Sequence, residues 1–169
     1  PEKLANFDVV MTGVRAYNTL QALANKQNIL FDFVKGGKTM LVQYNTPNDL
    51  VTENIAPYSL KISRDRVTEE NAEVRFLAPN HPVLNSPNKI TTKDFEGWIQ
   101  ERGIYYATTS SQYEKPLGMK DTGEQVNDGA LLIANYGKGK FVYTGLVFFR
   151  ELPAGIPGAF RLFANLLAK

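Results

Sequence analysis

Residues 7–46 read FDVVMTGVRAYNTLQALANKQNILFDFVKGGKTMLVQYNT, two short apolar runs that enclose a segment with helical periodicity. The runs at residues 7–13 and 39–44 have strand length, and the first is nearly continuous in apolar residues, as in strands buried on both faces. Apolar residues recur at helical spacing over residues 20–34, and Gly36-Gly37 then suits a helix C-cap. The stretch therefore predicts a right-handed strand–helix–strand crossover between parallel strands.

The remainder of the chain predicts a hairpin and further helices. Two apolar runs flank Gly137-Lys138-Gly139, where a tight turn needs positive φ. Residues 156–169 carry the apolar stripe of a closing helix, and Thr91 or Thr92 is a suitable N-cap for another. We predict an α/β, flavodoxin-like three-layer sandwich with a mostly parallel sheet and a C-terminal antiparallel hairpin. Residues 1–169 would form this single domain.

Composition excludes several classes of function. A net charge of +2 over 169 residues, with no cluster of Lys or Arg, indicates no nucleic-acid partner. No apolar run approaches the roughly 18 residues that a membrane span requires. The absence of cysteine excludes disulfides, thiolate metal sites and cysteine nucleophiles. One histidine, His81, is too few for an ordinary zinc site, and Asp121, Glu124 and Asp128 lack the EF-hand spacing, so we expect no cofactor in this domain.

Polar residues at the predicted strand ends are the candidates for ligand binding, because ligands of open parallel sheets gather at the carboxyl ends of the strands. Each candidate has a structural alternative: Arg15 could fix its loop through a nearby acid, and His81 could be a structural or surface residue. The set of candidate ligand-binding residues is Arg15, Tyr17 and Asn18 after the first strand, Tyr44 and Asn45 after the second, His81 in a loop, and Arg150 after the last strand.

Three segments in order resemble class I glutamine-amidotransferase-like domains. Residues 7–18 resemble their strand and oxyanion loop, residues 36–42 the strand that leads to the nucleophile elbow, and residues 136–145 a late hairpin. That hairpin is also similar to one in trehalose-utilisation-like proteins and in the middle domain of some β-galactosidases. The resemblance implies the same three-layer α/β fold.

A narrower resemblance covers most of the chain. Residues 12–18 (TGVRAYN), 42–46 (VQYNT), 77–82 (LAPNHP) and 148–155 (FFRELPAG) resemble, in that order, the C-terminal region of bacterial PIG-L (LmbE-like) deacetylases. The order of these motifs carries more weight than any one of them.

Two departures from these families concern catalysis. Gln43-Tyr44-Asn45 stands where a working amidotransferase has its cysteine, and residues 146–149 (LVFF) stand in place of its His-x-Glu pair. Glutamine hydrolysis by that mechanism is therefore excluded, because no thiolate can form. The His-Pro-Asp-Asp-Glu zinc motif of the PIG-L deacetylases is also absent from the sequence.

The resemblance implies a non-catalytic accessory domain of a PIG-L/LmbE-like N-acetylglucosamine-type deacetylase, one that binds carbohydrate or supports assembly. Its partners would be a carbohydrate, the catalytic domain of the parent protein and, in a homo-oligomer, a second copy. The family suggests a periplasmic or secreted location. Its sheet usually begins with an additional strand and helix, so we expect this chain to be a fragment of a longer protein that lacks them.

Two other functions stay open from the sequence. One is a cysteine-independent hydrolase that acts on a sugar or small acid with Arg15, Tyr44, His81 and Arg150. The other is an oligomerisation module, which predicts a large apolar patch and no concave polar pocket.

Overall fold

The computed structural model describes residues 3–168 of the chain. Its ten strands are β1 (Val9–Thr12), β2 (Thr39–Gln43), β3 (Leu60–Ile62), β4 (Arg66–Val67), β5 (Val74–Phe76), β6 (Gly103–Ile104), β7 (Ala107–Thr109), β8 (Leu117–Met119), β9 (Leu131–Tyr136) and β10 (Gly139–Thr144). The four α-helices are α1 (Ala16–Thr19), α2 (Gln21–Lys35), α3 (Phe148–Glu151) and α4 (Pro157–Leu167). Single 3₁₀ turns lie at Leu4–Asn6, Pro82–Leu84 and Thr92–Phe95.

The central sheet has the strand order β1-β2-β10-β9. Strands β1, β2 and β10 are parallel, and β9 pairs with β10 as an antiparallel hairpin. The predicted strand–helix–strand unit is confirmed as β1, the helices α1 and α2, and β2, and the predicted hairpin is confirmed as β9 and β10. The first four residues of β2 are all buried, as expected of a strand covered on both faces.

Helix α2 covers one face of this sheet. Its buried Leu30 and Val34 belong to the same apolar cluster as Met40, Val42 and Phe141 from the sheet. Because side chains alternate along a strand, Met40 and Val42 point to this face together.

Helix α4 covers the opposite face. Its buried Leu162 and Leu166 join Leu41, Val142 and Ile133 in a second apolar cluster. Leu41 lies between Met40 and Val42 and points the other way, so the sheet is the middle layer between two helical layers. The predicted α/β three-layer sandwich is confirmed.

Three short antiparallel strand pairs, β3–β7, β4–β6 and β5–β8, lie outside the central sheet. Through these pairs, β4 and β6 lie near the carboxyl ends of β1 and β2. The predicted helix after Thr91 is wrong in extent, because only the single turn Thr92–Phe95 forms. Gly97 then adopts a φ of 72°, which ends the helical path.

The two edges of the central sheet differ. β9 receives a further bridge, in which Glu114 and Ile133 exchange backbone hydrogen bonds of 2.7 and 3.0 Å. At the other edge, beside β1, Phe7 is 56% exposed and Met11 is 48% exposed. Among residues 3–168, no helix is long and apolar enough to cross a membrane.

Candidate functional site

The carboxyl ends of β1 and β2 open onto a concave polar pocket of about 400 Å³, here called the strand-end pocket. Its charged and aromatic lining residues are Arg15, Asp49, Arg64, Arg66 and Tyr105. Arg15 follows β1, whereas Arg64 and Arg66 come from the β4 segment and Tyr105 from the turn after β6. The pocket therefore joins the central sheet to the strand pairs that fold over it.

Arg15 lines this pocket and links the two strands that end there. Its φ is 58°, a left-handed conformation, and its N–H donates to the carbonyl oxygen of Tyr44 at 2.8 Å. This bond ties the end of β1 to the end of β2. No ion pair found among residues 3–168 includes Arg15 or Arg64, so the described residues do not show the alternative in which Arg15 pairs with a nearby acid.

Three of the sequence candidates build the loops behind the pocket. Buried Asn45 accepts a hydrogen bond from the Tyr17 N–H at 2.8 Å and donates to the Gln43 carbonyl oxygen at 3.0 Å. Asn18 donates to the carbonyl oxygen of Thr46 at 3.1 Å and accepts from the Thr46 N–H at 2.9 Å. These amides hold the loops after β1 and β2 together across 28 residues of sequence.

Tyr17 is one of the largest buried side chains. Its hydroxyl donates to Gln27 Oε1 at 2.7 Å. Burial raises the pKa of Tyr17 to about 12. We therefore assign Tyr17 to the core beneath the loop.

An aromatic cluster of Tyr44, Tyr105 and Phe149 lies beside the strand-end pocket. The Tyr44 ring centroid is 5.4 Å from that of Tyr105 and 5.1 Å from that of Phe149. The Tyr143 hydroxyl donates to the Tyr105 carbonyl oxygen at 2.6 Å and fixes that turn. Burial raises the pKa of Tyr44, against the attraction of Arg15, so its phenol stays protonated at neutral pH and can donate a hydrogen bond.

Behind the aromatic cluster, one carboxylate binds two arginines. Glu101 is 1% exposed, and its oxygens lie 2.6 Å from Arg66 Nη2 and 3.1 Å from Arg150 Nη2. The Arg150 guanidinium also contacts the Gln100 side chain and lies 4.9 Å from the centroid of Phe149. The sequence candidate Arg150 thus stands at the rear of the site, where it shares Glu101 with Arg66.

Glu151 is a second buried acid near these residues. Both of its carboxylate oxygens lie 3.2 Å from the N–H of Ile99. Burial raises the pKa of Glu151, although the Ile99 N–H and Arg102 favour the ionised form. The native state consequently keeps this proton to a higher pH than the unfolded chain does.

Glu151→Gln should flatten the pH dependence of stability. The contribution of a carboxyl with a raised native pKa is complete below its unfolded pKa and is lost as the pH rises through the native value. Glutamine cannot ionise, yet it can still accept from Ile99. As the pH rises from about 4 to about 8, urea unfolding should show a smaller decrease in the free energy of unfolding for the variant than for the unaltered protein. Equal losses would refute this role, and exposed Glu73→Gln is the control.

His81 lies away from the strand-end pocket, near the start of β10. Its Nδ1 accepts from the Val83 N–H at 3.2 Å, and its Nε2 lies 3.2 Å from a Glu114 oxygen. Burial lowers the pKa of His81, against the attraction of Glu114. Since both ring nitrogens are engaged, the neutral ring caps the 3₁₀ turn after it, and its Nδ1 lone pair is not free to accept a proton from a substrate.

Sequence reasoning missed Arg64 and Arg66; their close spacing was the only signal, and nothing local indicates that this segment reaches Arg15. Glu101 and Tyr105 lie in an aromatic-rich stretch, residues 98–106, whose residue types suit sugar stacking or a protein interface. Across residues 3–168, no group of three or more His, Cys, Asp or Glu side chains is placed to hold a metal ion. The absence of a cofactor stays a prediction.

Comparisons with known proteins bear on the fold alone. No protein-family model matches the chain, and no curated protein matches it by sequence. The solved structure of cytoplasmic protein STM3548 from Salmonella typhimurium is similar, with a TM-score of 0.64 and 16% identity over 98% of this chain and 72% of that one. Cytoplasmic protein STM1381 from Salmonella typhimurium LT2 has a TM-score of 0.64 and 14% identity over 98% and 73%.

The β-galactosidase from Rahnella sp. R3 is also among the similar structures, at a TM-score of 0.49 and 14% identity over 95% of this chain and 23% of that one. At these identities, the two Salmonella proteins support only the α/β fold of this chain. They indicate nothing about what it binds. The function is therefore argued from the strand-end pocket.

Proposed function

We propose that this chain is a non-catalytic carbohydrate-binding domain, an accessory domain of a PIG-L-type deacetylase. The observation that carries the proposal is an open polar pocket at the carboxyl ends of parallel strands with an aromatic cluster beside it. Ligands of open α/β sheets bind at this end. A concave polar pocket is also the feature that a pure oligomerisation module was expected to lack.

The chemistry of the lining suits a sugar. Arg15, Thr46 and Asn48 contribute hydrogen-bonding groups to the lining, and Tyr105 contributes an aromatic ring. Sugar rings present apolar C–H faces to aromatic side chains and hydroxyls to polar ones, so a site needs both. Tyr44 packs against the Tyr105 ring and supports it.

The state of the titratable groups favours binding without catalysis. Glu101 is held in two salt bridges, and the raised pKa of Tyr44 makes it a poor general base. The hydrolase alternative needs His81 together with Arg15, but His81 lines a separate pocket with Lys140 and Glu114. That separation weighs against the alternative.

The link to a deacetylase rests on the motif resemblance and needs its own test. Deleting this region from the parent protein should reduce deacetylation of a polymeric N-acetylglucosamine substrate or change the oligomeric state. If deletion left both unchanged for every glycan tested, the accessory role would be wrong.

Tyr44→Ala should weaken carbohydrate binding because it removes the centre of the aromatic cluster. Using chitotetraose as the probe, we expect titration calorimetry to show about a tenfold loss of affinity, or ~1.4 kcal/mol. Tyr136→Ala is the matched control, since this partly buried tyrosine packs on Phe31 and Tyr58 elsewhere in the fold. Absence of binding by the unaltered protein, or equal losses in both variants, would refute a carbohydrate site here.

A supporting role in assembly is a second candidate, and the exposed edge beside β1 favours it. Met11 belongs to β1 and Phe7 precedes it, and within residues 3–168 this strand has a sheet neighbour on one side only. Size-exclusion chromatography with light scattering would show a concentration-dependent dimer. A monomer at all concentrations would count against this role.

A further inference from the structure

The strand-end pocket holds more positive charge than its own acid can neutralise. Arg15, Arg64 and Arg66 line it, and Asp49 is the single acid among its lining residues. Arg15 and Arg64 take part in none of the ion pairs found in residues 3–168. Two guanidinium groups therefore border the pocket without a salt-bridge partner from the described part of the chain.

The surrounding acids do not remove this excess. Buried Glu101 is shared between Arg66 and Arg150, so one carboxylate serves two guanidinium groups. Asp65 accepts a hydrogen bond from Asn127 at 3.3 Å and lines the neighbouring pocket. Among the residues that line the pocket itself, three arginines face one acid. Glu151, which interacts with Arg150, and Asp121, which interacts with Arg66, are not among those lining residues. Arg150 also keeps a buried Nε–H with no hydrogen-bond partner in the described residues.

Like charges held around one concave pocket repel each other more strongly than they would on a flat surface, because less water screens them. An anion bound between the arginines attracts both of them and offsets this repulsion. The planar guanidinium group suits a carboxylate or phosphate, to which it can donate two parallel hydrogen bonds.

We propose that the strand-end pocket binds the anionic group, a carboxylate or a phosphate, of an acidic sugar. This inference rests on the proposed carbohydrate-binding function and names the class of sugar. Arg15 and Arg64 contact the anion, Arg66 supports it from its salt bridge with Glu101, and the aromatic cluster receives the sugar ring.

Three monosaccharides that differ only at C6 test the proposal: glucose, glucuronate and glucose 6-phosphate. Dissociation constants from ligand-detected NMR should be at least about tenfold lower for one or both acidic sugars than for glucose. The preference should shrink when NaCl is raised from about 20 mM to about 500 mM, since salt screens the arginines. Which acidic sugar binds more tightly distinguishes carboxylate from phosphate.

Arg15→Gln and Arg64→Gln should each reduce the affinity for the preferred acidic sugar to about that for glucose. Arg75→Gln is the control, because this arginine pairs with Glu73 on an exposed surface. Thermal unfolding of every variant verifies the fold, and two independent arginines keep the test valid if one variant fails to fold.

Each contrary result has a distinct meaning. Equal affinity for all three sugars would overturn the anion preference and leave the carbohydrate proposal standing. No binding of these sugars or of chitotetraose would overturn both. Binding of inorganic phosphate as tightly as glucose 6-phosphate would overturn the assignment to a sugar.

Discussion

Gly158→Ala should destabilise the domain by ~3 kcal/mol or more, the largest loss that we expect from adding a single methyl group. Gly158 is the second residue of α4, where the helix crosses the 3₁₀ turn that ends at Phe95. A Cβ at this position would overlap the Cα and carbonyl group of Asp94. Backbone atoms cannot rotate away as a side chain can, so α4 and the 3₁₀ turn would have to move apart.

The contacts beside Gly158 depend on this close approach. Arg161 Nε lies 2.7 Å from an Asp94 oxygen, and Asp94 also accepts from the Thr91 N–H at 2.8 Å. Displacing α4 would separate Arg161 from Asp94 and expose part of the apolar cluster that holds Leu162 and Leu166. The cost of the substitution therefore extends beyond the local overlap.

Gly13→Ala is the matched control for this experiment. An added Cβ at Gly13 has no atom within 4 Å, and Gly13 is not among the residues with positive φ. Urea unfolding should place Gly13→Ala within about 0.5 kcal/mol of the unaltered protein. Equal stability of Gly158→Ala and Gly13→Ala would contradict the packing of α4 described above.

Glu101→Ala should cost about 3 kcal/mol of stability, the second large effect. The substitution removes the carboxylate that Arg66 and Arg150 share and leaves both guanidinium groups facing each other. Each arginine is partly exposed and can recover some hydration, which places the loss at the lower end of the range for a broken buried ion pair. We also expect weaker binding of acidic sugars, because Arg66 loses its anchor.

Glu73→Ala provides the comparison, since Glu73 forms its salt bridge with Arg75 at 3.0 Å and its side chain is 69% exposed. Exposed pairs contribute little, so this variant should lose less than about 1 kcal/mol. Denaturant midpoints and slopes for the two variants measure the difference. Comparable losses would mean that Glu101 does not organise the rear of the site.

The elements that the sequence predicts well are those whose signals are local. β1, α2, β2, the β9–β10 hairpin and α4 each carry their own periodicity or turn glycines. The strands within residues 60–119 are only two or three residues long. Apolar runs at residues 58–62, 74–77, 104–108 and 116–120 indicate most of them, but which strands pair depends on contacts far apart in sequence. The predicted helix after Thr91 ends after one turn because the backbone extends at Glu96 and Gly97 takes positive φ.

The residues of the candidate site also differ in how well local sequence predicts their positions. Arg15 and Tyr44 follow parallel strands, so the sheet itself brings them to one edge. Tyr17 and Asn45 are buried and have structural roles. Residue type alone does not predict this burial. His81 lies near the other end of the sheet. Local sequence does not indicate this position, because the path of its loop is set by contacts with residues far away in the chain. The same long-range folding brings Arg64 and Arg66 to the pocket.

Chemical-shift mapping shows most directly whether a sugar occupies the strand-end pocket. Glucuronate is titrated into ¹⁵N-labelled protein while backbone amide shifts are recorded. We predict saturable shifts at Arg15, Thr46 and Tyr105 and none at Val83 or Lys140, which mark the opposite end of the sheet. Shifts confined to the His81 end, or no shifts with any of the three monosaccharides or chitotetraose, would contradict a sugar site at the strand-end pocket.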